Sequence, residues 1–244
     1  SSSSAASDVY KRQVMNRKNL RSLAAGVALL LAVGALAGCG GEKKADDSKK
    51  MVTVGIAQLV EHGALDAANK GFIAGMAAKG FKENENVKYD RQNAQADQSN
   101  LQNIAQRFVS NKVDLICAIA TPTAQTMANA TKDIPIVATA VTDYEVAKLA
   151  ASNNEPKGNV TGTSDMNPID QQLELLLKIA PQTKNIGTVY SSSEVNSQLQ
   201  VDVLKKLAGD KGINVIEATV STVNDIQQAA HSLSLIHISE PTRP

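Results

Sequence analysis

From Val52 onward the chain alternates short apolar runs with longer segments whose apolar residues recur at helical spacing. The apolar runs lack strict polar alternation, which is typical of parallel strands covered on both faces. Strands that alternate with helices of this length predict βαβ units, a parallel sheet and an α/β fold, with helices on both sheet faces. In the first series we predict strands at 52–58, 86–92, 113–119 and 136–140, and helices at 64–79, 98–110 and 123–131.

A turn-rich break at 147–158 separates this series from a second one, and it contains two asparagines, a proline and a glycine. Such a cluster of turn residues is typical of a boundary between lobes. We therefore expect an N-terminal lobe at 52–158 and a partial C-terminal lobe at 159–232. In the second series we predict strands at 160–164, 185–190 and 213–219, and helices at 168–179, 197–208 and 222–231.

The first predicted helix carries an apolar stripe that we expect to face the core. Gly71 and Gly75 in the same helix form a GxxxG pair. We expect this pair to allow close packing on the sheet, because it lacks the context of a dinucleotide-binding fingerprint. The stripe consists of Leu65, Ala68, Phe72, Met76 and Lys79.

The N-terminal region has the features of an export signal. Arg17, Lys18 and Arg21 precede the apolar run 23–37, which is shorter than the roughly 20 residues of a membrane-spanning helix. The run closes on Leu-Ala-Gly-Cys at 36–39, which resembles the bacterial lipobox. We therefore expect a lipoprotein signal peptide at 15–38, a lipid on Cys39 and a flexible, charged tether over 39–51. A short transmembrane anchor is the alternative.

Both ends of the chain resemble translations of sequencing-library adapters. Residues 3–13 read SSAASDVYKRQ and residues 233–243 read LSLIHISEPTR, and each matches an adapter in frame. We therefore expect 1–13 and 233–244 not to be native, with the natural chain starting at Met15 and cut off near Ser232. On this interpretation the sequence is a fragment, and His237 is not a site candidate.

Charge and cysteine content narrow the function classes. The formal net charge of the whole chain is +1, but residues 39–232 carry a small excess of acidic residues. This balance argues against nucleic acid as a partner, because such binding needs a basic face. The chain has no tryptophan, so we expect an aliphatic core. With Cys39 assigned to lipid, Cys117 lies in an apolar run and should be a buried free thiol.

The candidate site follows from the fold class. Ligands of open α/β sheets bind beyond the carboxyl ends of the strands, where helix N-termini offer free N–H groups to anions. Here those loops carry small hydroxyls beside acidic residues, which suits a compact zwitterion or another small polar ligand. The candidate ligand-binding residues are Glu61, His62, Thr121, Thr123, Thr142, Asp143, Ser193, Glu194 and Asn196.

Each candidate has a simpler structural interpretation. Thr121 and Ser193 would serve equally well as helix N-caps, and Asp143 and Glu194 as solvated or capping acids. His62 has no partner at metal-ligand spacing, so we expect no metal. The sequence has no nucleophile elbow, no phosphate-cradling loop and no Cys/His pair placed for nucleophilic attack. We therefore expect no cofactor and no enzymatic activity. A tethered α/β hydrolase or transferase is the enzymatic alternative.

Six segments between 55 and 197 carry a resemblance to a known family. They resemble the substrate-binding lipoproteins of ABC importers, in the group associated with tryptophan and tyrosine. The segments are GIAQLVEHGALDAANKGF (55–72), NAQADQSNLQNIAQRFV (93–109), DLICAIATPTAQTMANAT (114–131), DIPIVATAVTD (133–143), NVTGTSDM (159–166) and YSSSEVNS (190–197).

The resemblance implies a type I periplasmic-binding fold, in which two Rossmann-like lobes close on a ligand about a hinge. It also implies an amino-acid-like ligand, an ABC permease and its ATPase as partners, and a lipid-anchored location on the extracytoplasmic face of the cell envelope. A sensory lipoprotein that presents its ligand to a membrane receptor kinase is the alternative function.

Overall fold

The computed structural model describes residues 51–156 and 158–235. Its first five strands are β1 (Val52–Gln58), β2 (Val87–Asn93), β3 (Leu115–Ile119), β4 (Ile136–Val141) and β5 (Val160–Ser164). They form one sheet in the order β2-β1-β3-β4-β5, and every neighbouring pair is parallel. The predicted α/β fold class is thus confirmed.

Three helices cover the two faces of this sheet. They are α1 (Gly63–Ala78), α2 (Gln98–Ser110) and α3 (Thr121–Ala130). On one face α2 and α3 enclose a core around Phe108, Ile116 and Met127, all fully buried. On the other face α1 packs over Ile56 and Ile119.

Tight packing beneath α2 explains one residue of β1. The ring of Phe108 is fully buried against Gly55, and a Cβ on Gly55 would lie 2.8 Å from the ring carbons. A glycine at this position lets the ring approach the strand backbone.

The second sheet contains two parallel strands, β6 (Asn185–Ser191) and β7 (Asn214–Val220). Its helices are α4 (Ile169–Ile179), α5 (Val195–Gly209) and α6 (Ile226–Leu235), with a 3₁₀ turn at Val223–Asp225 before the last. Leu173, Ala208 and Ile213 form its small core. Within the described residues, none of the helices combines the length and apolar character needed to cross a bilayer.

The structure corrects the place of one strand. We expected Val160 to open the second lobe, but Val160 pairs with Ile136 of β4, and the first sheet continues to Ser164. The chain returns to this sheet through a loop without a helix, and the sequence pattern therefore looked like a break between lobes. The division of the chain into two lobes remains our proposal.

The outer face of α1 also differs from the prediction. Leu65, Phe72 and Met76 pack on the sheet as expected, but Lys79 is the exposed C-cap residue. Among the described residues, no atom lies within 4 Å of a Cβ placed on Gly71 or Gly75. The GxxxG pair therefore does not serve packing on the sheet.

Several predictions fall outside the described residues. These are the signal peptide at 15–38, the lipid on Cys39, the tether up to residue 50 and the adapter origin of residues 1–13. At the other end α6 runs to Leu235, and Leu233 lies 3.2 Å from the position of a Cβ on Gly187. This helix includes three residues that we expect not to be native.

Candidate functional site

The start of α3 leaves two buried hydroxyl groups without partners. Thr121 and Thr123 are 2% and 0% exposed, and neither side-chain oxygen has a hydrogen-bond partner within the described residues. A buried polar group without a partner costs about 1–3 kcal/mol. Such groups are retained where a ligand or an ordered water completes them.

The backbone at the same point is strained. Ala120, the N-cap residue of α3, has φ 90° and offers no side-chain oxygen to the helix. A non-glycine residue in this region costs on the order of 1–3 kcal/mol, and such strain concentrates at functional sites. The first N–H groups of α3 have no partner inside the helix and, with the helix dipole, favour an anion. One of our two interpretations made Thr121 the N-cap of this helix. That interpretation is wrong, because Ala120 is the N-cap residue.

The end of β4 adds a second irregularity beside α3. The register with β5 shifts between Ala138 and Val141, and Ala140 has φ 55°. A bulge of this kind redirects the chain and re-aims the side chains that follow it. Thr142 directly after it is 5% exposed, and its carbonyl oxygen accepts a 2.7 Å hydrogen bond from the Ser164 hydroxyl.

Two residues at this edge were missed by the sequence analysis. The hydroxyl oxygens of Thr139 on β4 and Thr163 on β5 lie 3.2 Å apart. The sequence could have pointed to these two residues only if β4 and β5 had been placed in the same sheet, where the two threonines lie near the carboxyl ends of adjacent strands. We had assigned Thr163 to the second lobe.

Asp143 organises its own loop. One carboxylate oxygen accepts from the Val146 N–H at 2.7 Å, and the other accepts from the Asn153 amide at 2.7 Å. The capping interpretation of Asp143 accounts for both of these contacts.

The end of β1 is fixed by a buried amide. Gln58 is 4% exposed, donates to the Val60 carbonyl and the Asp66 carboxylate, and accepts from Asn69 at 3.2 Å. This network holds the loop on which Glu61 lies exposed.

His62 closes the same loop as the N-cap residue of α1. Its Nδ1 accepts from the Ala64 N–H at 3.3 Å, and its side chain is exposed. A capping role therefore accounts for His62. Among residues 51–156 and 158–235, no group of three or more His, Cys, Asp or Glu side chains is placed to hold a metal ion.

The candidate loop of the second sheet follows β6. Glu194 is the N-cap residue of α5, but its side chain makes no capping hydrogen bond. The hydroxyl oxygens of Ser193 and Ser191 lie 2.9 Å apart, at hydrogen-bond distance. One of our two interpretations made Ser193 the N-cap of this helix. That interpretation is wrong, because Glu194 is the N-cap residue. Asn196 donates to Glu194 at 3.4 Å, and its buried amide oxygen has no partner among the described residues. The start of α5 therefore carries a buried oxygen without a partner among the described residues, as the start of α3 does.

Tyr144 lies in the loop after β4, and its side chain contacts the backbone of β4 and β5. Its hydroxyl lies 3.0 Å from the Ala138 carbonyl oxygen and 3.1 Å from that of Thr163. Burial, with a further contribution from the charge of Asp165, raises the pKa of Tyr144 to about 12. The phenol is therefore neutral at physiological pH and acts as a hydrogen-bond donor.

Comparison with known proteins assigns the family. A family model for ABC transporter substrate-binding proteins matches residues 53–235. The chain belongs to this family. This substrate-binding protein is 48% identical over 228 residues to a tyrosine-binding protein of Clostridioides difficile, an alignment that covers 90% of the chain and 65% of that relative.

Two solved structures place the fold of this substrate-binding protein. One is an ABC domain in complex with L-Trp from Streptococcus pneumonia, at 40% identity and a TM-score of 0.74, with 76% of this chain and 63% of that chain covered. The other is the ligand-free, open structure of a substrate-binding protein with adhesive properties from Clostridium difficile, at 49% identity and a TM-score of 0.58 over 75% and 62%.

A more distant neighbour confirms the fold class alone. A leucine-binding protein from Thermotoga maritima superposes with a TM-score of 0.58 at 12% identity. The type I periplasmic-binding fold is therefore shown. The chain spans slightly less than two thirds of the length of the relatives it matches.

Proposed function

We propose that the protein binds a free amino acid, and that α3 receives the ligand's carboxylate. The observation that carries this proposal is the pair of buried, partnerless hydroxyls of Thr121 and Thr123 at the start of α3. A carboxylate placed there would accept from both hydroxyls and from the free N–H groups of the helix end.

The ammonium group of the ligand needs an acidic partner on another of the candidate loops. Glu61 and Glu194 each stand three residues after the last residue of β1 and β6, so they hold equivalent places in the two βαβ series. Asp143 is less suited, because both of its oxygens are engaged within its own loop. We assign the ammonium to Glu61 or Glu194.

An aromatic side chain is the favoured ligand side chain. One relative is a tyrosine-binding protein, and a solved relative holds L-Trp. The superposition is better on the L-Trp complex than on the ligand-free open structure, although the open structure is closer in sequence. Two arrangements of the lobes, one of them closed on ligand, would produce this difference.

We further propose that the protein is a lipid-anchored receptor on the extracytoplasmic face, and that it delivers its ligand to an ABC permease driven by an ATPase. Membership of the ABC substrate-binding family and the Leu-Ala-Gly-Cys sequence at 36–39 support this role. The protein then needs no catalytic residue, since the ligand is released unchanged.

Calorimetric titration of the full-length protein with L-tyrosine and L-tryptophan tests the proposal. Tyramine, which lacks the carboxylate, is the matched control ligand. We expect at least one of the two amino acids to bind and tyramine to bind far more weakly. Equal affinity for tyramine would refute the carboxylate site, and no binding of any amino acid would refute the ligand class.

A further inference from the structure

The segment that leaves the first sheet is fastened to the loop after β4. This segment, 163–166, comprises the last two residues of β5 and the first two residues after it, and it leads to α4 and the second sheet. Three hydrogen bonds join it to residues 141–144, and a fourth closes a turn within it. They are Tyr144 Oη to Thr163 O at 3.1 Å, Ser164 Oγ to Thr142 O at 2.7 Å, Asp165 N to Val141 O at 3.1 Å and Met166 N to Ser164 Oγ at 3.1 Å.

Tyr144 bridges the sheet where the ladder is interrupted. The bulge in β4 shifts the pairing with β5 after Ala138, and the Tyr144 hydroxyl lies between the carbonyl oxygens of Ala138 and Thr163. One phenol has a single proton for the two acceptors, so it is shared between the strands. The side chain is 6% exposed, which shields this contact from water.

Gly162 makes room for the bridge. A Cβ at this position would collide with the Ala138 carbonyl oxygen and with the Tyr144 hydroxyl. The other end of Tyr144 is also fixed, because its N–H donates to the Asn153 side chain at 2.7 Å. Both the backbone and the hydroxyl of Tyr144 are thus held in one position.

We propose that Tyr144 and Ser164 are positioning residues that couple the loop after β4, which carries two of the candidate ligand-binding residues, to the segment connecting the two sheets. Thr142 and Asp143 lie on that loop, and Ser164 binds the Thr142 carbonyl directly. A shift of the loop on ligand binding is therefore transmitted to the direction in which the chain leaves the first sheet. The effect on ligand affinity rests on the proposed function, whereas the effect on the connecting segment does not.

Tyr144→Phe removes the bridge and leaves the ring in place. Tyr89→Phe is its matched control, because Tyr89 is buried to a similar degree (7% exposed) in the same sheet and its hydroxyl has no partner among the described residues. Ser164→Ala removes the second contact, and Ser164→Thr retains a hydroxyl as the rescue variant.

The distance between the two sheets is the readout that a purely structural role would not change. Spin labels at Asn103→Cys on α2 and Lys206→Cys on α5, both exposed positions, report it by pulsed electron resonance. Cys39→Ser removes the other cysteine of the chain from the labelling reaction, and Cys117 is fully buried. The same variants are melted thermally and titrated with L-tyrosine.

We expect Tyr144→Phe and Ser164→Ala to fold, to broaden the distance distribution and to weaken L-tyrosine binding about three- to tenfold, the effect of one net hydrogen bond. Tyr89→Phe and Ser164→Thr should behave as the parent protein. A distribution as narrow as that of Tyr89→Phe would overturn the proposal, whatever the melting temperature. If the distribution broadens but no variant, including the parent, binds an amino acid, the coupling stands and the proposed function fails.

Discussion

At the scale of single residues, the fold depends on places where a side chain would not fit. Gly55 lies under the ring of Phe108, and Gly162 lies under the hydroxyl of Tyr144. The two sites differ in what surrounds them. The ring above Gly55 belongs to a side chain, whereas the carbonyl oxygen of Ala138 beside Gly162 belongs to the backbone of β4, which is paired on both sides.

We therefore predict that Gly162→Ala destabilises the protein more than Gly55→Ala. Overpacking of a core typically costs about 1–3 kcal/mol, and the larger values apply where the backbone must move. Urea unfolding of both variants measures the difference. Gly71→Ala on the open face of α1 is the control, and it should be neutral or stabilising, since alanine favours a helix by up to about 1 kcal/mol over glycine. Equal costs for Gly55→Ala and Gly162→Ala would contradict the packing described around β5.

Cys117 is a second residue-scale case, since burial raises the pKa of its thiol from an ordinary value of 9.0 to about 12. The thiol is therefore protonated in the folded protein, and we predict that it resists thiol reagents at pH 8 until the protein unfolds. The Cys39→Ser variant isolates this signal. Rapid labelling of the folded protein would show that the core over β3 opens readily.

The raised pKa values also predict how stability depends on pH. Folding favours the protonated thiol of Cys117, so its contribution is complete below about pH 9 and is lost as the pH rises toward 12. Tyr144 acts in the same direction between about pH 10 and 12. Urea unfolding at pH 8, 9.5 and 11 should show falling stability, with a smaller fall in Cys117→Ala. A stability that rises over this range would refute the assignment.

Among the helices, α3 begins with an unusual concentration of unfavourable features. Ala120 has a strained backbone there, and Thr121 and Thr123 leave their hydroxyls without partners. Each feature destabilises the ligand-free protein. Each is explained if a ligand completes the site.

We predict that Thr123→Val stabilises the ligand-free protein by about 1 kcal/mol. Valine has nearly the same shape and removes a buried hydroxyl whose desolvation is not compensated. Thermal unfolding without ligand measures the gain. The control is Thr131→Val, because the Thr131 hydroxyl accepts from the Asp133 and Ile134 N–H groups and its removal should destabilise. A lower melting temperature for Thr123→Val would show that its hydroxyl has a partner in the ligand-free protein.

The spacing of apolar residues predicted the helices and strands. The tendency of ligands to bind beyond the carboxyl ends of parallel strands predicted the loops of the candidate site. The predicted bounds of α2 and β5 agree with the structure, and the loop that begins α3 was identified in advance. What the sequence did not reveal depends on contacts between distant residues. The bulge in β4 and the bridge made by Tyr144 depend on contacts among β4 at Ala138, the loop after it at Tyr144 and β5 at Thr163. No local pattern encodes such a meeting.

At the scale of the whole molecule, the two sheets contribute unequally to the candidate site. Candidate residues follow three strands of the first sheet, among them Glu61, Thr121 and Thr142, whereas in the second sheet they follow only β6, around Glu194. We infer that the first sheet selects the carboxylate and that the second completes the site on closure. Affinity should therefore depend first on α3.

On the proposed function, the first turn of α3 binds the carboxylate of an amino acid. The most direct measurement is a calorimetric titration of L-tyrosine into the full-length protein and into the double variant Thr121→Val, Thr123→Val. We predict binding by the parent protein and an affinity at least about tenfold weaker in the folded double variant, since two hydrogen bonds to a charged group are lost. An unchanged affinity in the double variant would show that the carboxylate does not bind at the first turn of α3.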